Sequence, residues 1–144
     1  MHLETEVWLP RPRDQVFAFF SEPANLESLT PPWLHFRIVT AAPIVMGPGT
    51  LIDYRIRVHG IPISWRSEIS VWSPPSRFVD VQVRGPYRRW EHTHSFEQVR
   101  DGTIVRDSVE FEVPFSFVAG PFVRRDVEKI FGYRSQALLA RFGG

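Results

Sequence analysis

Residues 90 to 96, WEHTHSF, hold the side chains best suited to chemistry in this chain. In an extended strand Trp90, His92, His94 and Phe96 share one face, and Glu91, Thr93 and Ser95 share the other. The hydroxylated, charged face is the one expected to meet water. Two histidines on the drier face can then do one of three things. They can ligate a metal, move protons, or act as polar fixtures inside a cavity. A His-x-His pair presents two imidazoles to one ion, but a site needs a third or fourth ligand. Asp80 and Asp107 are the available donors, cysteine is absent, and no metal or other cofactor is expected. A carboxylate beside an imidazole favours an ion pair and supplies a general base. His92, His94 and Asp107 are therefore the catalytic candidates, without a serine or lysine nucleophile beside them. As fixtures, the same groups would satisfy one another and fix strand register.

These residues must be positioned by a sheet. Residues 2–9 alternate as a strand. Two short helices are predicted next, RDQVFAFF after Pro12 and ANLESL after Pro23, and then strands over LHFRIV, TLIDYRIRV, IPISWRSEISVW, RFVDVQVRG, YRRWEHTHSFEQV and TIVRDSVEFEV. His59-Gly60 reads as a two-residue hairpin turn, Ser73–Ser76 and Gly85-Pro86 as further turns, and Asp101-Gly102 as another. After a PFSFVAG loop, one helix is predicted from Pro121 to about Phe142, with Val123, Val127, Ile130, Phe131, Ala137 and Leu138 at helical spacing.

The turns predict register. Tyr54 should face Trp65, Ile56 should face Ile63, Val71 should face Phe78, and Ile69 should face Asp80. Phe96 should face Asp107, and His94 should face Val109. With one extra residue in the Gly85-Pro86 turn, Asp80 faces His92 and Gln82 faces Trp90. Opposed residues share a face. The dry face is then aromatic and aliphatic at its ends, with Asp80, Gln82, His92, His94 and Asp107 in its middle. Val79, Val81 and Val83 form a rival apolar face on the fourth of these six strands, RFVDVQVRG, and flipping that strand would remove Asp80 and Gln82 from the set.

The element order, with FVDVQVRGPYRRWEHTHSFEQV and GTIVRDSVEFEVPF, resembles the SRPBCC superfamily, the START-like or helix-grip fold, and its small bacterial polyketide cyclase/dehydrase-like members. The resemblance implies an α+β fold over residues 1–144 as a single domain. A seven-stranded curved antiparallel sheet would carry two short helices after strand 1 and grip a long C-terminal helix on its concave face. It also implies a mainly apolar cavity between sheet and helix. Tyr54, Trp65, Trp90 and Phe111 would line it, with Asp80, Gln82, His92, His94, Asp107 and Arg134 as polar contacts. Arg134 falls within the helix's apolar stripe, where it either points inward or reaches to the rim.

Composition bounds the function. The 144 residues are 43% hydrophobic and carry a net charge of +1, which gives no whole-molecule case for nucleic acid. Tyr87-Arg88-Arg89-Trp90 does not change this, because alternation splits its arginines and tryptophan between faces. No signal peptide and no membrane span is read from the sequence, and a cytoplasmic location is expected. The expected activity is binding of a small hydrophobic molecule, aromatic or polycyclic in kind. The second reading is a cyclase, aromatase or dehydratase using the His/Asp cluster. The third is a ligand-free homodimer or partner-binding module whose cavity is filled by its own side chains.

Overall fold

The computed structural model describes residues 1–114 and 116–143, with the side chains of 116–118 left aside. Strand β1 (His2–Leu9) leads to helix α1 (Arg13–Phe20). A 3-10 turn (Pro23–Asn25), a one-turn helix α2 (Leu26–Leu29) and a second 3-10 turn (Pro32–Leu34) follow. Strands β2 (Arg37–Ile38), β3 (Leu51–Val58), β4 (Ile61–Ser73), β5 (Arg77–Arg84), β6 (Arg89–Val99) and β7 (Gly102–Glu112) come next. Helix α3 (Ser116–Phe142) ends the chain. The seven strands form one antiparallel sheet in the order β1-β7-β6-β5-β4-β3-β2.

Two expected elements changed length. The predicted LHFRIV strand shrinks to Arg37–Ile38, because the chain first makes a 3-10 turn and His35 then takes the left-handed conformation at φ 49°. Helix α3 begins at Ser116, inside the segment read as a loop, and Pro121 lies within it. As the sixth residue of the helix, Pro121 leaves one intrahelical N–H bond unmade. Phe115, also in that loop, lies outside the described residues.

Hairpin chemistry sets the register. His59 and Gly60, at φ 49° and 82°, make the predicted two-residue turn between β3 and β4. Tyr54 accordingly faces Trp65, and Ile56 faces Ile63. Two other expectations are corrected. The β6–β7 turn is Arg100-Asp101, not Asp101-Gly102, with Arg100 at φ 59° and Val99 paired to Gly102. Gly102 is a packing residue: an added Cβ would meet the Leu9 carbonyl oxygen at 2.3 Å and the Trp8 ring at 2.5 Å. The register therefore slides by two residues, so His94 faces Asp107, Phe96 faces Val105 and His92 faces Val109. An even slide leaves every side chain on its predicted face.

The second correction lies between β4 and β5. Ile69 faces Asp80 as expected, but Phe78 pairs with Trp72, and Val71 pairs with Val79. A bulge at the intervening Ser70 inserts one unpaired residue, which turns Trp72 inward onto Phe17 at 5.1 Å between ring centroids. A second irregularity lies between Arg66 and Ser67. Bulges raise local twist and bend a sheet, and α3 lies against the concave side.

Helix α3 buries Val127, Phe131, Arg134 and Leu138. Their spacing of four, three and four puts them on one stripe. Arg134 is thus carried on the inward face by the same periodicity that carries its apolar neighbours.

Candidate functional site: a buried His/Asp/Arg cluster under an aromatic cavity

Five polar side chains meet where β5, β6, β7 and α3 converge. His92, His94, Asp107 and Arg134 are only 6%, 3%, 3% and 7% exposed, and Asp80 is partly open. The ladder sets Asp80 opposite His92 and His94 opposite Asp107. The hydrogen bonds run on the diagonals instead, which lie within reach on a twisted sheet. Asp80 Oδ2 is 2.6 Å from His94 Nε2, and Asp107 Oδ1 is 2.8 Å from His92 Nε2. Arg134 closes the group from the helix side. Its Nε donates to Asp107 Oδ2 at 2.9 Å, and its Nη2 lies 3.1 Å from His94 Nδ1.

The guanidinium fixes the tautomer of His94. An arginine nitrogen only donates, so His94 Nδ1 accepts, and its one proton sits on Nε2 and points at Asp80. His94 is a neutral connector between the carboxylate and the arginine. Burial first, then the neighbouring His92 and Arg134 charges, hold its pKa down at about 4, against the partial opposing effect of Asp80. Burial alone would push Asp107 up, but Arg134 and the two histidines outweigh it and hold Asp107 low. Asp80 is likewise held low. Burial opposes this, and it is outweighed by the His94 hydrogen bond together with the His92 and Arg134 charges.

The rings are packed as well as hydrogen-bonded. His92 and His94 stack with centroids 3.6 Å apart and planes 28° apart, and Phe78 stacks on the other side of His94 at 4.0 Å. Phe131 meets His92 edge-on at 5.1 Å, and the Arg134 guanidinium lies 5.1 Å from the Phe20 ring centre.

Asp80, His92 and His94 bring three potential ligand atoms within 4.8 Å of one another. The donor set suits a transition metal, but the ring geometry does not. A metal lies in the plane of each imidazole that binds it, about 2.0–2.1 Å from the nitrogen. Two rings stacked this closely, with planes this nearly parallel, share no such point. One ring would have to turn, breaking the Asp107 or Arg134 hydrogen bond.

Above the cluster, between the sheet and α3, lies a cavity of about 670 Å³. Tyr54, Trp65, Asp80, Trp90, His92, His94 and Arg134 line it, among the residues expected from the sequence. Tyr54 and Trp65 are stacked with centroids 5.7 Å apart, and Trp90 meets Trp65 edge-on at 5.4 Å. Burial pushes the Tyr54 phenol well up, so it is a neutral hydroxyl.

Three expected contacts lie elsewhere. Gln82 spends its amide on the backbone of Tyr87, at 2.8 Å through Nε2 and 3.1 Å through Oε1, and so staples the β5–β6 turn. Phe111 lies behind Trp90, with centroids 5.9 Å apart, and Asp107 lies beneath the histidines. None of the three lines the cavity.

Other lining residues were not read from the sequence. Ser67 is in phase with Trp65 and Ile69, and that alternation could have shown it. Its Oγ accepts from Trp65 Nε1 at 3.0 Å. Tyr87 packs on Trp90 at 4.8 Å, and burial with the Asp126 charge pushes its phenol up to about 12. Trp33, on a 3-10 turn that no periodicity marks, meets Tyr133 at 5.9 Å. At the mouth, His59 Nε2 is 2.8 Å from Asp126 Oδ2, joining the β3–β4 hairpin to α3.

Residues 9–138 match the model of the family described as polyketide cyclase / dehydrase and lipid transport. The chain belongs to that family. The SRPBCC helix-grip architecture recurs in solved structures that are similar over nearly the whole chain. Protein CV1439 from Chromobacterium violaceum superposes with a TM-score of 0.79 at 13% identity, covering 100% of this chain and 99% of that one. A START superfamily protein from Mycobacterium smegmatis gives 0.76 at 13%, covering 99% and 97%. Ginseng major latex-like protein 151 from Panax ginseng gives 0.69 at 12%, also covering 99% and 97%. At these identities the likeness establishes the fold. No curated protein sequence matches. Among the described residues no helix is long and apolar enough to cross a membrane.

Proposed function

We propose that this SRPBCC protein binds a small hydrophobic molecule with an aromatic or polycyclic body in the cavity between the sheet and α3. The observation that carries the reading is the cavity itself, about 670 Å³ and walled by Tyr54, Trp65 and Trp90. Ligand pockets run roughly 300–1,000 Å³, mostly apolar with a few placed polar groups. Flat aromatic walls favour flat aromatic ligands by stacking and burial. The polar cluster gives such a ligand its orientation.

The test is a thermal shift with native mass spectrometry on the full chain. Hydrophobic aromatic compounds should raise Tm in a concentration-dependent way, because they bind the folded state alone. A bound mass of one ligand per chain should accompany the shift. No shift and no adduct across a panel of aromatic sizes would defeat the reading.

A second reading has one observation in its favour. His92, which lines the cavity, donates to Asp107 through Nε2, and its Nδ1, 3.8 Å from Asp80 Oδ2, makes no hydrogen bond among the described residues. An imidazole oriented by a buried carboxylate is the arrangement of a general base. Turnover of a bound polyketide-like substrate that is lost in His92→Gln, with binding retained, would favour the enzyme.

A further inference from the structure

Among the described residues no fully buried side-chain nitrogen or oxygen lacks a hydrogen-bond partner. Polar atoms of the cluster that have none are therefore not fully buried, and the residues that carry them, Asp80, His92 and Arg134, line the cavity. Three atoms meet this condition. Asp80 uses Oδ2 on His94 and leaves Oδ1. His92 uses Nε2 on Asp107 and leaves Nδ1, which lies 3.8 Å from Asp80 Oδ2, beyond a hydrogen bond. Arg134 uses Nε and Nη2 and leaves Nη1. The cavity floor thus offers a carboxylate oxygen, an imidazole nitrogen and a guanidinium donor within one otherwise apolar and aromatic wall.

We infer that the cavity selects an aromatic ligand bearing a hydroxyl group, of the phenol or enol class, seated at the Asp80–His92 edge of the cluster. The inference rests on the proposed aromatic-binding function and specifies its ligand. A hydroxyl is the small neutral group that both donates and accepts. It donates to Asp80 or His92 and can accept from Arg134. An ether accepts only, and it leaves the Asp80 oxygen stripped of water without a donor. A purely apolar ring does the same, at the cost of an unpaired buried acceptor. A carboxylate meets Asp80 and, behind it, Asp107. The one guanidinium near them already bonds Asp107, so a second or third negative charge gains little there.

The experiment is isothermal titration of the full chain at neutral pH with naphthol, methoxynaphthalene and naphthoate, which share one ring system. Naphthol should bind about tenfold tighter than methoxynaphthalene, the worth of one buried hydrogen bond to a charged acceptor. Naphthoate should bind more weakly than naphthol. Asp80→Asn places an amide donor at the same edge and should shrink the naphthol-to-ether ratio toward one. His92→Asn, which keeps an amide near the same edge, is the substitute if Asp80→Asn does not fold by circular dichroism. Equal affinity for naphthol and its ether in the wild type overturns the inference and leaves the aromatic cavity standing. Tighter binding of naphthoate overturns it too, since Arg134 would then govern selection. Binding of none of the three overturns the cavity reading itself, and the inference with it.

Discussion

The space between sheet and helix has a filled end and an open end. At the filled end Phe17, Phe20, Phe78 and Phe96 interlock with centroid separations of 5.1 to 6.2 Å, and Phe19 meets Phe142 at 5.2 Å. Helix α1 supplies three of these rings and so plugs that end. The open end is bounded by α2, the second 3-10 turn and α3. Tyr54, Trp65 and Trp90 stand against one another along the wall, and the cavity lies between them and α3. The polar cluster sits on the border, with His94 stacked on Phe78 from the filled side and His92 facing the open side. The contrast teaches that a similar aromatic supply makes a solid core or a ligand wall according to whether an opposing element fills the gap.

Substitutions at the border and at both ends, with a pH series, probe that contrast. The border should give the largest effect. Arg134→Leu removes the guanidinium from buried Asp107, and breaking a buried pair from one side costs about 3–5 kcal/mol. Urea denaturation should show a loss of that size. A loss below about 1 kcal/mol would mean that water reaches Asp107.

The two ends should then differ. Phe96→Ala, in the filled end, should cost about 3–5 kcal/mol. Trp65→Ala, on the open wall, should cost about 1 kcal/mol less despite the larger ring, because part of its surface faces the cavity rather than neighbours. It should weaken aromatic binding, whereas Phe96→Ala should not do so beyond its effect on stability. Equal costs would indicate that the open end is collapsed in solution.

The border also predicts a pH dependence. Unfolded, His94 takes a proton near its ordinary 6.5; folded, it does so only near about 4. Between those values the unfolded chain binds more protons, so stability falls as pH drops from about 6.5 to about 4. Asp80 and Asp107, both held low in the fold, add a second loss as the pH falls through and below their ordinary 3.8. Melting curves across this range should show both limbs, and His94→Gln should flatten the first while leaving the second.

The smallest effect is expected at Ser67→Ala, which deprives Trp65 Nε1 of its acceptor. The loss should be about 1 kcal/mol, with a change in tryptophan fluorescence that marks the open wall.

Much of this was legible in the chain. Period-two alternation places His92, His94, Asp80 and Asp107 on the dry face, and the two-residue shift of the β6–β7 register leaves them there. The Val79, Val81 and Val83 rival lost to the same logic, since Asp80 pairs with His92 on the cavity face. What could not be read depended on distance across the fold. The crossed His/Asp bonds need sheet twist, Gln82 turned to a backbone five residues away, and the Ser70 bulge that brought Trp72 inward carries no residue signal. Helix α3 also starts before its proline, at Ser116, inside a segment whose flanking Pro114 and Gly120 read as a loop.

In a crystal structure of the full chain with naphthol bound, the ring should lie between Tyr54, Trp65 and Trp90, with its oxygen within hydrogen-bond distance of Asp80 or His92. A space filled by the protein's own side chains, with no ring between sheet and α3, would contradict the proposed binding.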